Sequence, residues 1–225
     1  MSKSENNYSS FETFFSVLRN FLYRIFCQPV LLRRNAARKE RFLELGPGNV
    51  RIPGFETMNL VKNNVTDYVG DVVARLPFGD DTFDIVYASH VLEHVPWYQV
   101  KDVLSEWRRI LKPGGRLEIW VPDAQKIAKA FVAAEETGDT DWQNDNWYRF
   151  NDARDPAVWF GARMFSYGDG RGTRGHRNWH LSCFSPRLLR QHMVDCGFKN
   201  VHLLPRSAVR GYDHGWINLG CAGEK

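Results

Sequence analysis

The chain has 225 residues, enough for one large domain or a domain with an appendage and too few for two independent catalytic domains. Its 43% hydrophobic content supports a buried core and excludes disorder for the bulk of it, while a net charge of only +4 gives no general nucleic-acid surface, so no nucleic-acid partner is expected. The four cysteines, Cys27, Cys183, Cys196 and Cys221, form no C-x-x-C pair, which fits reduced thiols in a cytoplasmic protein, and no metal site is expected.

Taken in chain order, the first feature is a helix. Phe11, Phe14, Phe15, Leu18, Phe21, Leu22, Ile25 and Phe26 fall at the spacing of one helical face, and Ser9 with Glu12 makes a capping-box start. Arg19 and Arg24 interrupt this segment, so it does not reach the roughly 18 uninterrupted apolar residues of a membrane span, and its polar start is wrong for a secretory signal. Residues 1–40 read as an amphipathic helical extension whose apolar face is expected to cover the domain or its active site. The alternative is peripheral contact with the inner face of a membrane, because Arg19, Arg24, Arg33, Arg34, Arg38, Lys39 and Arg41 are opposed only by Glu40.

From residue 41 onward, short apolar runs alternate with amphipathic segments, the pattern of βαβ units and a parallel sheet. Strands are predicted near 41–45, 56–60, 66–70, 83–88, 115–121, 199–204 and 216–222. Val100, Val103, Leu104, Trp107, Ile110 and Leu111 form a helix face that stops at Pro113-Gly114-Gly115. A later helix is expected to start at Ser185-Pro186 and end at Gly197. The whole reads as an α/β, Rossmann-like, doubly wound sheet of seven mostly parallel strands over residues 41–225. After the fifth strand comes an insertion of about residues 124–184, rich in Trp, Asp, Arg and Gly and longer than a crossover needs.

The segment FLELGPGN runs from a buried strand into a Gly-Pro-Gly turn, placing Glu44 near the strand end and Gly46 and Gly48 where a ligand would approach bare backbone. A nicotinamide fingerprint would need a third glycine where Arg51 stands, opening a helix for which Pro53-Gly54 leaves no room. Followed by GDVVARLPFGDDTFDIVYASHVLEHV and EWRRILKPGGRLEIWVPD, the segment resembles the class I S-adenosylmethionine-dependent methyltransferases, of methyltransferase type 11 kind. The RIPGFETMNL segment and the late His-Arg and Phe-Ser-Pro segments are similar to a subgroup found in bacterial surface-polysaccharide and other sugar-modifying pathways.

The resemblance implies S-adenosylmethionine as cofactor. Glu44 would pair with its ammonium or hold the loop, and the backbone of Gly46, Pro47 and Gly48 would line its methionine and ribose moieties. Asp71 would accept from the adenine amine, with Val72 and Ala74 as an apolar wall. Ser89 and His90 would face the methionine end, braced by Leu92, Glu93 and His94; a solvated helix charge is the plainer reading of Glu93. Family members place an acid at the end of the second strand for the ribose hydroxyls, and here that position is Asn59, which has one acceptor oxygen and no charge.

A hydroxyl acceptor needs a base, and His176 and His180 in GTRGHRNWHLSCF are the catalytic candidates, with His90 a third. His176 is preferred because it follows a glycine-rich run, and His192 is read as a surface residue. Arg163, Arg171, Arg174, Arg177, Arg187 and Arg190, with Trp142, Trp147, Trp159 and Trp179, suit an anionic sugar or a phosphate-linked glycan. They would equally serve as ion pairs and core. The expected activity is O-methylation of a sugar or glycan hydroxyl. The alternatives are a small natural-product hydroxyl or amine, and a non-catalytic binding subunit.

Overall fold

The computed structural model describes residues 10–139, 151–166 and 179–225. Seven strands form one sheet: β1 (Phe42–Leu45), β2 (Glu56–Asn59), β3 (Tyr68–Val69), β4 (Phe83–Ser89), β5 (Leu111–Pro122), β6 (Lys199–Leu204) and β7 (Asn218–Glu224). Their order is β3-β2-β1-β4-β5-β7-β6, parallel throughout except that β7 runs antiparallel to both neighbours. This is the doubly wound, mostly parallel architecture expected. The order reverses between β1 and β4, so the crevice at their carboxyl ends is where such sheets bind ligands.

The local reasons are those visible in the sequence. Leu43 and Leu45 of β1 and Val86 and Ala88 of β4 are fully buried, as central parallel strands require. The helix α3 (Val100–Ile110) buries Val100, Val103, Leu104, Trp107 and Ile110 along one stripe. It ends one residue before the predicted Leu111, and β5 starts at Leu111 instead of 115. Gly114 takes φ +75°, and a Cβ on Gly115 would lie 2.8 Å from the Lys112 carbonyl, so the Gly-Gly pair lets the strand turn back toward β4. At the end of the chain, β7 runs over 218–224, two residues later than predicted.

The insertion holds more regular structure than its composition suggested. There α4 (Ala124–Thr137) is capped by Asp123, which accepts from the Gln125 and Lys126 N–H groups, and α5 (Pro156–Phe165) is capped in the same way by Asp155. The helix α6 (Pro186–Asp195) begins after the predicted Ser185 cap with proline in its first turn. Gly197, φ +83°, follows as the expected terminator.

The N-terminal extension departs from expectation. It comprises α1 (Ser10–Leu22), a π turn over Tyr23–Cys27, and α2 (Gln28–Ala36), so helix continues ten residues past Phe26. Pro29 sits in the first turn of α2, where its missing N–H costs nothing, and the π turn before it resets the register. Ser9, the predicted cap, lies outside the described residues. The expectation that the apolar face covers the domain is corrected, because Phe15 is 50% exposed, Phe21 58%, Ile25 48% and Phe26 67%. It is the polar side that docks. The Lys62 N–H donates to Asn20 Oδ1, the Arg19 guanidinium to the Lys62 carbonyl, and the Tyr23 hydroxyl to the Asp67 carbonyl. On the edge strand β3, the Val69 N–H that no further strand could pair donates to Gln28 Oε1. The apolar contact comes later, where Leu31 and Leu32 pack on the core.

Candidate active site

Four adjacent strands end along one edge, and the sequence-predicted cofactor residues follow those ends. Gly46 follows β1, with its N–H donating to the Met58 carbonyl at 2.9 Å, and Gly48 is fixed by the Asn63 side-chain amide donating to its carbonyl. Gly46 has φ +69°, and a Cβ there would collide with Val91 Cγ2. Gly48 has φ +59° with nothing within 4 Å of where its Cβ would be. The two glycines are therefore needed for different reasons: Gly46 for packing and backbone, Gly48 for backbone alone. Pro47 between them is buried.

Asn59 closes β2, and its Oδ1 accepts from the Leu60 N–H at 2.8 Å, so the one acceptor of this uncharged side chain is already engaged. Asp71 stands just beyond β3, exposed, and makes the local turn by accepting from the Val73 N–H. The Val72 side chain belongs to the core and its carbonyl accepts from the Trp107 indole, so it forms no open wall; Ala74 is exposed.

Glu44 is 5% exposed and its Oε2 accepts from the Ile52 N–H at 3.2 Å, the loop-holding arrangement of the two foreseen for it. Burial pushes its carboxyl up to about 7, against smaller opposing effects from the Ile52 hydrogen bond and Arg51.

After β4, the backbone turns at His90, φ +53°, whose N–H donates to the Trp120 carbonyl. The preceding Ser89 is half-buried. The His90 ring stacks on His214 at 3.6 Å between centroids, with Nε2 2.8 Å from Asn218 Oδ1 and Nδ1 3.2 Å from Glu93 Oε1. Glu93 is 1% exposed, which corrects the reading of it as a solvated helix charge: the 3-10 turn Leu92–His94 folds it inward. Burial alone would raise its pKa, but His90, His94 and His180 around it outweigh that and hold its carboxyl below the usual carboxylate range. His180 is brought from the far end of the insertion to this cluster, and burial pushes it down to about 4. His214 is likewise lowered to about 4, chiefly by burial.

His176, the preferred base, lies outside the described residues, as do Arg171, Arg174, Arg177, Trp142 and Trp147. Of the described arginines, Arg163 is buried on α5, while Arg187 and Arg190 are exposed on α6. Trp159 is fully buried with Ile127 and Ile217, so it serves as core, and Trp179 is half-buried. His192, read as a surface residue, is half-buried against Phe184. His214 and Asn218 were not anticipated. They lie in and beside the seventh strand, and only its antiparallel insertion beside β5 brings them to His90.

Comparison with known proteins adds a chemistry to this geometry. Residues 53–119 match the family described as "Methyltransferase domain". The chain also resembles the demethylmenaquinone methyltransferase of Bacillus subtilis (strain 168), with 38% identity over 78 residues, 35% of this chain and 29% of that protein. The uncharacterized protein YafE of Escherichia coli (strain K12) is 52% identical over 54 residues, 24% of this chain and 25% of that protein. The chain thus spans less than a third of the length of these curated relatives. A SAM-dependent methyltransferase structure from Thermotoga maritima aligns over 93% of this chain and 94% of its own, at 18% identity and a TM-score of 0.49.

Proposed function

We propose that the protein is an S-adenosylmethionine-dependent methyltransferase whose acceptor is a hydroxyl on a sugar or glycan, carried on a membrane lipid and met at the cytoplasmic face of the membrane. The observation that carries the methyltransferase reading is the line of strand ends. Gly46 to Gly48, Asn59, Asp71 and Ser89-His90 follow the ends of four neighbouring strands, an arrangement that supports one extended ligand lying across them with its ribose, adenine and methionine parts. The matched family over residues 53–119 supports the same chemistry.

The lipid carrier is supported by the N-terminal helix. Its outward face bears Phe15, Leu18, Phe21, Leu22, Ile25 and Phe26, and Arg24, Arg33 and Arg34 are exposed without an ion pair among the described residues. Apolar side chains bordered by unpaired cations suit a bilayer with anionic headgroups. The four free cysteines support a reducing compartment. A second acceptor reading, a quinone-type lipid, is favoured by the name of the Bacillus subtilis relative and by the same apolar face.

The test is a methyl-transfer assay following S-adenosylhomocysteine release over lipid-linked sugars, free glycans and isoprenoid quinols presented in anionic vesicles. Turnover on the lipid-linked sugars is expected. Turnover only on quinols would establish the second reading, and absence of cofactor binding in calorimetry would overturn both.

A further inference from the structure

Glu93, His94 and His180 meet below the carboxyl edge of the sheet, and nothing in the reading above gives this meeting a task. Each turns one ligating atom toward the others so that all three lie within 4.8 Å. The Glu93 carboxylate is 1% exposed, and although His90 Nδ1 lies 3.2 Å from its Oε1, neither oxygen has a hydrogen-bond partner among the described residues. A charged group in that position is costly unless something binds it.

The two histidines are held as metal ligands are held. His94 Nδ1 lies 3.2 Å from the Trp179 carbonyl, and His180 hydrogen-bonds the Arg163 backbone, so each ring is engaged by the backbone. That outer contact fixes the tautomer and aim of a ligating imidazole. Beside Glu93 and His180 lies a cavity of 10 Å³, bordered also by Ser182 and Cys183, which is room for one water-sized occupant.

We propose that Glu93, His94 and His180 bind a divalent first-row transition ion, with zinc the best match to two imidazoles and one carboxylate. Three protein ligands leave a fourth position open toward the cavity, as in sites that bind an exchangeable oxygen ligand. Ligating atoms of a tetrahedral site stand about 3–3.5 Å apart, so small side-chain rotations close the arrangement. Ion binding does not depend on the methyltransferase reading. Its use does: the ion would make a water at its open position a stronger acid, close to His90 at the end of β4.

The test uses the full-length protein, stripped of metal by dialysis against chelator and titrated with zinc by calorimetry and with cobalt(II) by visible absorption. One ion per chain and the intense absorption of a four-coordinate cobalt site are expected. His180→Ala should weaken binding by about 10²-fold and Glu93→Gln by at least that much, with each variant first checked for native near-ultraviolet circular dichroism. Should Glu93→Gln not fold, His180→Ala decides alone. No stoichiometric binding by the wild type, or equal binding by wild type and His180→Ala, would overturn the site. Cofactor calorimetry on the same samples reads the methyltransferase proposal separately, so one can fail without the other.

Discussion

Replacing Glu44 by Gln tests the interior of the proposed cofactor site through two quantities that should move in opposite directions. Glu44 is 5% exposed and its carboxyl is raised from 4.5 to about 7, chiefly by burial. A shift of that size corresponds to about 3 kcal/mol, at 1.36 kcal/mol per pH unit. The native state holds its proton more tightly than the unfolded chain, so its favourable contribution is complete below pH 4.5 and is lost as pH rises through about 7. Above that pH the native protein carries a buried carboxylate held by a single N–H from Ile52. Gln keeps an acceptor for this N–H and removes the charge. Urea unfolding should show Glu44→Gln more stable than wild type by up to about 3 kcal/mol at pH 8 and nearly equal to it at pH 5. Cofactor binding should show the reverse. The sulfonium and ammonium groups favour the carboxylate, so wild-type affinity should rise with pH by up to about tenfold per unit below pH 7 and level off above it. Gln should lower affinity by about 10–100-fold at pH 7.5, the range of a charge-assisted hydrogen bond. A wild-type affinity flat between about pH 5.5 and 7.5, together with unchanged affinity in the Gln variant, would refute the reasoning.

The two glycines of the turn should separate: Gly48→Ala adds only the cost of a positive φ, about 1–2 kcal/mol by thermal unfolding, whereas Gly46→Ala also collides with Val91 and should cost more. Asn59→Asp should tighten cofactor binding by about 1 kcal/mol in calorimetry, with no change indicating that the Leu60 N–H keeps the acceptor oxygen to itself. Glu56→Ala strands the buried Arg41, which Glu56 meets at 2.8 Å, and removes a partner of Tyr68 and Asn35; unfolding should show a loss of about 3–5 kcal/mol, and a loss below about 1 would mean the pair is solvated.

Most of the sheet was legible in the sequence because its signals are local. A continuous apolar run at Phe42–Leu45, the 3.6-residue stripe of α3 and the Ser185-Pro186 cap each depend on neighbours a few residues away. The strand ends, and with them Gly46, Asn59, Asp71 and His90, follow from the same signals. The side-chain roles were less legible. Glu93 looks like any helix glutamate until the 3-10 turn buries it, and its neighbour His180 is 87 residues away along the chain. His214 and Asn218 reach His90 only because β7 inserts antiparallel beside β5, a tertiary pairing with no local signature.

The N-terminal helix shows where periodicity stops informing. A hydrophobic stripe establishes that a helix has an apolar face and leaves open what covers it. Here the neighbouring surface is the edge of β3 and the loop before it, whose free Val69 N–H and exposed Lys62 and Asp67 carbonyls call for polar partners. Gln28, Arg19 and Tyr23 supply them and Asn20 accepts from the Lys62 N–H, and because Asn20, Tyr23 and Gln28 lie opposite the phenylalanines, satisfying the backbone turns the apolar face outward. The contacts also set direction: Arg19 and Asn20 meet Lys62 beyond the carboxyl end of β2, while Asn35 meets Glu56 at its start. The phenylalanine-rich half of the helix therefore lies at the edge of the sheet that holds Gly46, Asn59 and His90. A membrane bound by that half would face the mouth of the cofactor crevice, so an acceptor anchored in lipid could reach the site without leaving the bilayer surface. Phe21→Ser with Phe26→Ser should then abolish pelleting with anionic vesicles and lower turnover on a lipid-linked acceptor while sparing a soluble analogue; equal losses on both would break the link between the helix and the acceptor.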